Sequence, residues 1–230
     1  MLKKISSFAI LFVLVMGCLL TGCTNKITEQ PICETNKFEI EMESLNGKDN
    51  GYGGNYLTID IPSNNKIKYA TYQDVENMLT FGTGVIYFGF PECPWCRNLA
   101  PTLLKVANEY ETTVLYFNNR DERDTKKLEN GEIVTEVEGS DGYYKILDML
   151  GDYASVYEGL EDDSIKRLYY PTVVFVKNGN IIGVHSGTVD SQDDVSVYLT
   201  DEQQLELTNA LSEYFEAVAP ERCNNNGKTC

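Results

Sequence analysis

Two early segments alternate apolar and polar residues. Phe38, Ile40 and Met42 alternate with Glu39, Glu41 and Glu43, and Leu57, Ile59 and Ile61 alternate ahead of Pro62. A period of two predicts half-buried strands. The turn-rich residues 46–55 between them predict a connecting loop, and so a strand pair. From Lys66 the pattern firms. Ile67 and Tyr69 predict a short strand. Thr71 with Asp74 forms a capping box ahead of a helix that carries Tyr72, Val75 and Leu79 on one face. Residues 85–90 are continuously apolar or Gly, the pattern of a strand covered on both faces. Residues 95–111 predict a helix with Leu99, Leu103, Val106, Ala107 and Tyr110 on one side, and 114–117 a second buried strand. Residues 118–141 are dense in both charge signs and predict a surface insert. Helix is predicted over 143–157. Residues 173–176 and 181–184 predict strands joined by the two-residue turn Asn178-Gly179. Thr200 with Gln203 caps a last helix bearing Leu207, Ala210, Leu211, Tyr214, Phe215 and Val218, which ends before Pro220. The order from Lys66 is β-α-β-α-β-α-β-β-α. It predicts one α/β sheet, parallel in its first half and closed by an antiparallel hairpin.

The N-terminus has a different pattern. Lys3 and Lys4 precede a mostly apolar run over 5–20, which predicts a secretory signal peptide over residues 1–22. Leu20-Thr21-Gly22-Cys23 resembles a bacterial lipobox. That resemblance implies cleavage before Cys23, diacylation of its side chain and anchoring by two acyl chains on the outer face of the cell membrane. Val15-Met16-Gly17-Cys18 is a weaker second match, because it leaves a shorter apolar region. The polar residues after Cys23 predict a tether.

Composition narrows the functional classes. The 230 residues include 35 acidic and 19 basic side chains, for a formal charge of −16. Loss of Lys3 and Lys4 on cleavage takes it to −18. Such a surface repels phosphate, which argues against nucleic acid as a partner and against electrostatic adhesion to an anionic bilayer. An apolar share of 42% supports a buried core. A single His excludes His-cluster zinc sites. Seven Cys fall short of disulfide-scaffold density.

The chemistry concentrates at Cys93-Pro94-Trp95-Cys96, between the strand of 85–90 and the helix that follows. The free N–H groups and positive dipole end of a helix N-terminus stabilise a thiolate. Pro94 suits the first helical position. Cys93 is thus the candidate nucleophile and Cys96 the resolving thiol. The same motif is half of a structural zinc site, but that needs a second Cys or His pair. His185 is alone, and Cys223 and Cys230 lie in a polar tail. The spacing and the lack of a suitably placed His or Met also speak against copper. No metal and no cofactor is expected. A purely structural Cys93–Cys96 disulfide is the other reading.

The region from Val85 to the last helix resembles the thioredoxin superfamily through several motifs in order. The Cys-Pro-Trp-Cys motif follows an apolar strand. Pro101 sits at the offset of that family's helix-kinking proline. Tyr170-Pro171-Thr172 resembles its cis-Pro-Thr, the turn at 178–179 follows at the family's distance, and Gly187 matches a glycine beside its substrate groove. With the lipobox, the chain is similar to thioredoxin-like lipoproteins of Gram-positive bacteria, a group that includes proteins labelled bacteriocin transport accessory proteins. The resemblance implies a thioredoxin-like α/β fold, a central mixed sheet flanked by helices. It also implies a cis Pro171 facing the cysteines, substrate pairing by the Tyr170 backbone, and a contact surface shaped by Trp95 and Gly187. It divides the chain into the signal peptide, a tether and N-terminal extension over 23–65, a thioredoxin-like domain over 66–219 with its insert at about 118–142, and a Cys-containing tail over 220–230. The long span between 118 and 170 is expected to border the active site.

Two departures matter. Thioredoxins usually carry a buried Asp six residues before the first active-site Cys, where this chain has Tyr87. Proton transfer to Cys96 is then left to water or to another group such as Glu92. Pro-Trp between the cysteines is neither the Gly-Pro of reducing thioredoxins nor the Pro-His of strong oxidants, so the redox direction stays open.

Of the remaining cysteines, Cys223 and Cys230 form a small disulfide loop in one reading, and Cys33 bridges to either in another. The expected function is a membrane-anchored thiol–disulfide oxidoreductase acting on extracytoplasmic protein thiols or disulfides, with a membrane electron-transfer partner. The alternative is a non-catalytic accessory lipoprotein in bacteriocin export or envelope assembly.

Overall fold

The computed structural model describes residues 34–220. The residues read as a signal peptide and lipobox, with Cys23, and Cys33, Cys223 and Cys230 lie outside the described residues. Within them, α1 spans Glu34–Glu43, β1 Ile67–Tyr69, α2 Tyr72–Phe81, β2 Gly84–Phe88, α3 Pro94–Glu109 and β3 Val114–Phe117. The insert holds β4 (Thr125–Glu129) and β5 (Glu132–Val137), followed by α4 (Asp141–Leu150), β6 (Ser155–Val156) and β7 (Lys166–Arg167). The chain closes with β8 (Thr172–Lys177), β9 (Asn180–Ser186) and α5 (Asp201–Val218). Among the described residues, no helix is long and apolar enough to cross a membrane.

The main sheet has the order β1-β3-β2-β8-β9. β1, β3 and β2 run parallel, β8 runs antiparallel to β2, and β9 antiparallel to β8. β2 is central and wholly buried. Its Val85 and Tyr87 join one core, with Leu99 and Leu103 of α3 and Leu211 and Phe215 of α5. Its Ile86 and Phe88 join a second core on the other face, with Val75 and Leu79 of α2 and Ile146 and Leu150 of α4. Both faces are thus covered by helices, which is why the strand reads as an uninterrupted apolar run. The fold is thioredoxin-like, a mixed sheet between two helical layers.

The segment read as a strand over 38–43 is helical. Phe38 and Met42, four residues apart, are fully buried, while Ile40 between them is 55% exposed. Phe38 packs edge-on against Tyr116, with ring centroids 4.9 Å apart, so the N-terminal extension is a layer of the main core. The expected strand pair around residues 46–55 does not form, and a single bridge, Asp49 to Asn55, joins the ends of the loop. Ile59 and Ile61 are buried, but side chains satisfy their backbone. Asn46 accepts from the Ile59 N–H (3.1 Å) and donates to the Ile59 carbonyl (2.8 Å), and Glu43 accepts from the Ile61 N–H (2.7 Å).

The helix expected over 143–157 stops at Leu150. Gly151 takes φ +53°, which ends it. The capping boxes at Thr71 and Thr200 both form. The Asn178-Gly179 turn has positive φ at both residues. The insert is an ordered hairpin, β4 with β5, turned at Asn130-Gly131 with φ of 54° and 80°. At its base, the Tyr157 hydroxyl accepts from the Lys126 N–H (2.8 Å) and donates to the Lys126 carbonyl (3.2 Å).

Candidate redox site

The site forms where β2 gives way to α3. Gly89 is needed at that exit, because a Cβ there would lie 2.7 Å from the Tyr87 ring. Cys93 is the N-cap of α3, with extended backbone (φ −73°, ψ 117°), and Pro94 takes the first helical turn. The Cys93 sulfur accepts the Cys96 N–H at 3.1 Å, in the place a serine or aspartate oxygen takes in an ordinary cap. Both cysteines are free thiols. Cys93 is 4% exposed and Cys96 fully buried.

The two thiols are driven apart in acidity. The Cys96 side chain hydrogen-bonds the Cys93 sulfur, the Cys96 and Trp95 N–H groups add to this, and the charge of Arg123 acts in the same direction. Together they hold the Cys93 thiol below its ordinary value against the cost of burial. Burial pushes the Cys96 thiol well above its own. One thiol is poised to ionise and attack while the other stays protonated.

The Tyr170–Pro171 peptide bond is cis. The loop it forms places the Tyr170 carbonyl 3.6 Å from the Cys93 sulfur, which donates to it. Gly187, at φ +73°, ends β9 and donates its N–H to the Pro171 carbonyl at 3.0 Å. Cys93, Cys96, Tyr170, Pro171 and Gly187 are therefore brought together, with Trp95 half-buried beside the cysteines.

The Tyr87 ring is fully buried, and its hydroxyl donates to the Cys96 carbonyl across 3.5 Å. Glu92 instead reaches outward, 3.6 Å from Arg120. His185 lies on β9, where burial holds its imidazole below the usual range. Among the described residues, no three His, Cys, Asp or Glu side chains gather as a metal site.

Several residues around the site went unnoticed at the level of sequence. Arg120 stands over the Phe90 ring (4.7 Å), Phe90 packs edge-on against Tyr170 (5.4 Å), and Arg123 stands over the Tyr170 ring (4.7 Å). Asn119 accepts the Tyr170 hydroxyl at 2.7 Å. All but Phe90 and Tyr170 come from the start of the insert, just after β3. A pair of arginines following a buried strand in so acidic a chain was the available signal. Arg97, next to Cys96, is 1% exposed. It donates to the carbonyls of Met42 (2.6 Å), Leu57 (2.7 Å) and Pro91 (3.4 Å) and to the Asn46 side chain (2.6 Å). That ties the N-terminal extension to the loop that leads into Cys93. Beside Pro94 a groove of about 450 Å³ runs between Tyr52, Tyr56, Leu57 and Val195.

No family model and no curated protein matches the chain. Solved structures similar to it include the J-Trx1 fragment of ERdj5, at 14% identity and a TM-score of 0.33 over 66% of this chain and 52% of that one. The chain thus spans about half the length of that fragment. Thioredoxin O2 from Arabidopsis thaliana, in its oxidized state, is 15% identical with a TM-score of 0.35, over 66% of this chain and 96% of its own. Thioredoxin O1 from the same plant is 14% identical with a TM-score of 0.33, over 66% and 99%. The thioredoxin-like character of this chain rests on its own strand order and on the cis-Pro171 loop set against the N-cap cysteine.

Proposed function

We propose that this protein is a thiol–disulfide oxidoreductase acting on protein thiols or disulfides. The observation that carries the reading is the N-cap position of Cys93, with its sulfur 3.1 Å from the Cys96 N–H and 3.6 Å from the Tyr170 carbonyl. In the reducing direction the Cys93 thiolate attacks one sulfur of a substrate disulfide. A mixed disulfide forms and one substrate thiolate leaves. Cys96 then loses its proton and attacks the Cys93 sulfur. The second substrate thiol departs, the protein holds a Cys93–Cys96 disulfide, and the substrate has gained two electrons. Run backwards, the same steps oxidise a substrate dithiol. In this reading an extended substrate segment lies along Trp95, the Tyr170 backbone and Gly187.

The finer reading rests on sequence. Lipid on Cys23 holds the domain outside the cell membrane, where protein disulfides persist, and a membrane electron-transfer partner resets the cysteine pair. Bacteriocin export or envelope assembly is the setting that the family resemblance suggests.

Reduction of insulin disulfides by wild type and by Cys93→Ser tests the chemistry. The variant is expected to lose the activity, and equal rates would refute catalysis through Cys93. A Cys96→Ser variant is expected to accumulate mixed disulfides on Cys93, whereas their absence would favour the accessory-module alternative. Phase partitioning of wild type and Cys23→Ala expressed in a Gram-positive host tests the anchor, which predicts loss of membrane association in the variant.

A further inference from the structure

We propose that Arg123, held on the Tyr170 ring beside Cys93, and its neighbour Arg167 form an anion-recognition surface, which selects extended protein segments carrying an acidic residue next to their reacting cysteine. This rests on the redox reading above and names its substrate class.

The setting is unusual for this chain. Acidic residues outnumber basic ones 35 to 19, yet two arginines here lie within repelling distance of each other. Four arginines fall among the described residues, and each is accounted for differently. Arg97 is buried on neutral acceptors. Arg120 is balanced by Glu92 at 3.6 Å and Asp121 at 3.7 Å. Among the described residues, neither Arg123 nor Arg167 has a carboxylate oxygen within ion-pair distance. The neighbouring Asp124, 1% exposed, is paired with Lys126 at 3.2 Å, and its charge reaches Arg167 with a smaller effect than that of Arg123.

Both guanidiniums are held in place. Arg123 donates from Nη1 to the Leu168 carbonyl at 3.0 Å and lies over the Tyr170 ring at 4.7 Å, with its Nε buried and without an acceptor. Arg167 lies over the Tyr157 ring at 4.3 Å, with the Tyr169 ring at 6.0 Å. Stacking on a ring holds a guanidinium in place and reduces the entropy lost when it binds a carboxylate. The two cations are also close enough to repel. Burial, and then the charge of Arg123, holds Arg167 below its ordinary value. A bound carboxylate would offset the repulsion between them.

The position suits a substrate. Tyr170 carries Arg123 on its ring and turns its carbonyl to the Cys93 sulfur. A segment whose cysteine reacts at Cys93 would bring its neighbouring side chains to the Tyr170 ring, and so to Arg123.

The test uses synthetic peptide disulfides identical except for Glu, Gln or Lys beside the cysteine, with the full-length protein as its reductant. The Glu peptide is expected to react about three- to tenfold faster than the Gln peptide, with the advantage fading at high salt and the Lys peptide slowest. In Arg123→Gln and Arg167→Gln, shown by circular dichroism to be folded, the Glu-to-Gln rate ratio is expected to fall towards one. Any general loss of thiolate reactivity divides out of that ratio. Equal rates for the two peptides with wild type, or a ratio unchanged in both variants, would overturn the proposal. If wild type reduces neither peptide, the redox reading fails instead. The proposal is then decided by anisotropy binding of labelled peptides with Ser in place of Cys. A Glu preference that both variants lose supports it, and no preference overturns it.

Discussion

Cys93 and Tyr170 meet across 3.6 Å, the thiol donating to the carbonyl oxygen, although 77 positions separate them in the chain. The contact joins the start of α3 to the cis-proline loop, and the chemistry of the site follows from it. A thiolate cannot donate this bond. Ionisation of Cys93 therefore frees the Tyr170 carbonyl at the moment the sulfur becomes nucleophilic, and an incoming backbone N–H can then take that carbonyl.

The acidity split gives a pH profile. Alkylation by iodoacetamide follows the thiolate, so the Cys93 rate should rise with pH around a midpoint below that of an ordinary thiol. Cys96 should stay unreactive until well above it. Mass mapping of labelled peptides across a pH series checks both. A shared midpoint would contradict the cap geometry.

Arg123 contributes to that profile through its charge. Removing a nearby positive charge disfavours the thiolate, so Arg123→Gln should move the Cys93 midpoint upward, and Arg123→Lys should largely restore it. Thiolate absorbance near 240 nm reads the shift directly, independently of any substrate.

Tyr87 stands where the resembled family places an aspartate. Its hydroxyl acts on Cys96 and favours the thiolate there, against the larger effect of burial. Tyr87→Phe should therefore push the Cys96 thiol further up. In stopped-flow exchange, attack by Cys93 should keep its rate while resolution of the mixed disulfide slows. If the first step slowed alone, the role given to Tyr87 would be wrong.

Arg97 spans α1, the loop after it and the active-site loop with hydrogen bonds from one guanidinium. Arg97→Ala leaves buried carbonyls without donors and opens a cavity, a cost of about 3 kcal/mol. Urea unfolding should show the loss as a lower midpoint. Arg97→Lys should recover only part of it, since one ammonium cannot reach the same acceptors.

Much of this architecture was legible in the residues, and the misses have physical causes. Phe38 and Met42 are four apart, a spacing that fits a helix as well as alternation does. Ile40 seemed to decide for a strand, yet it lies on the exposed face of α1. Ile59 and Ile61 alternate because they are extended, but the Asn46 and Glu43 side chains take the place of a neighbouring strand. The mixed charges over 118–141 concealed a hairpin whose turn, Asn130-Gly131, was present in the sequence.

The order of strands and helices, the cap at Thr71, the turn at 178–179 and the Cys93-Pro94-Trp95-Cys96 motif are all written locally. Each depends on residues a few positions apart, where backbone period and capping chemistry act. The company that Cys93 keeps is not local. Tyr170 and Arg123 reach the site through sheet order and an insert folding back, and the Met42 and Leu57 carbonyls that hold Arg97 come from the N-terminal extension. Contacts between residues so distant in sequence leave no periodic trace, so they emerge only once the sheet is assembled.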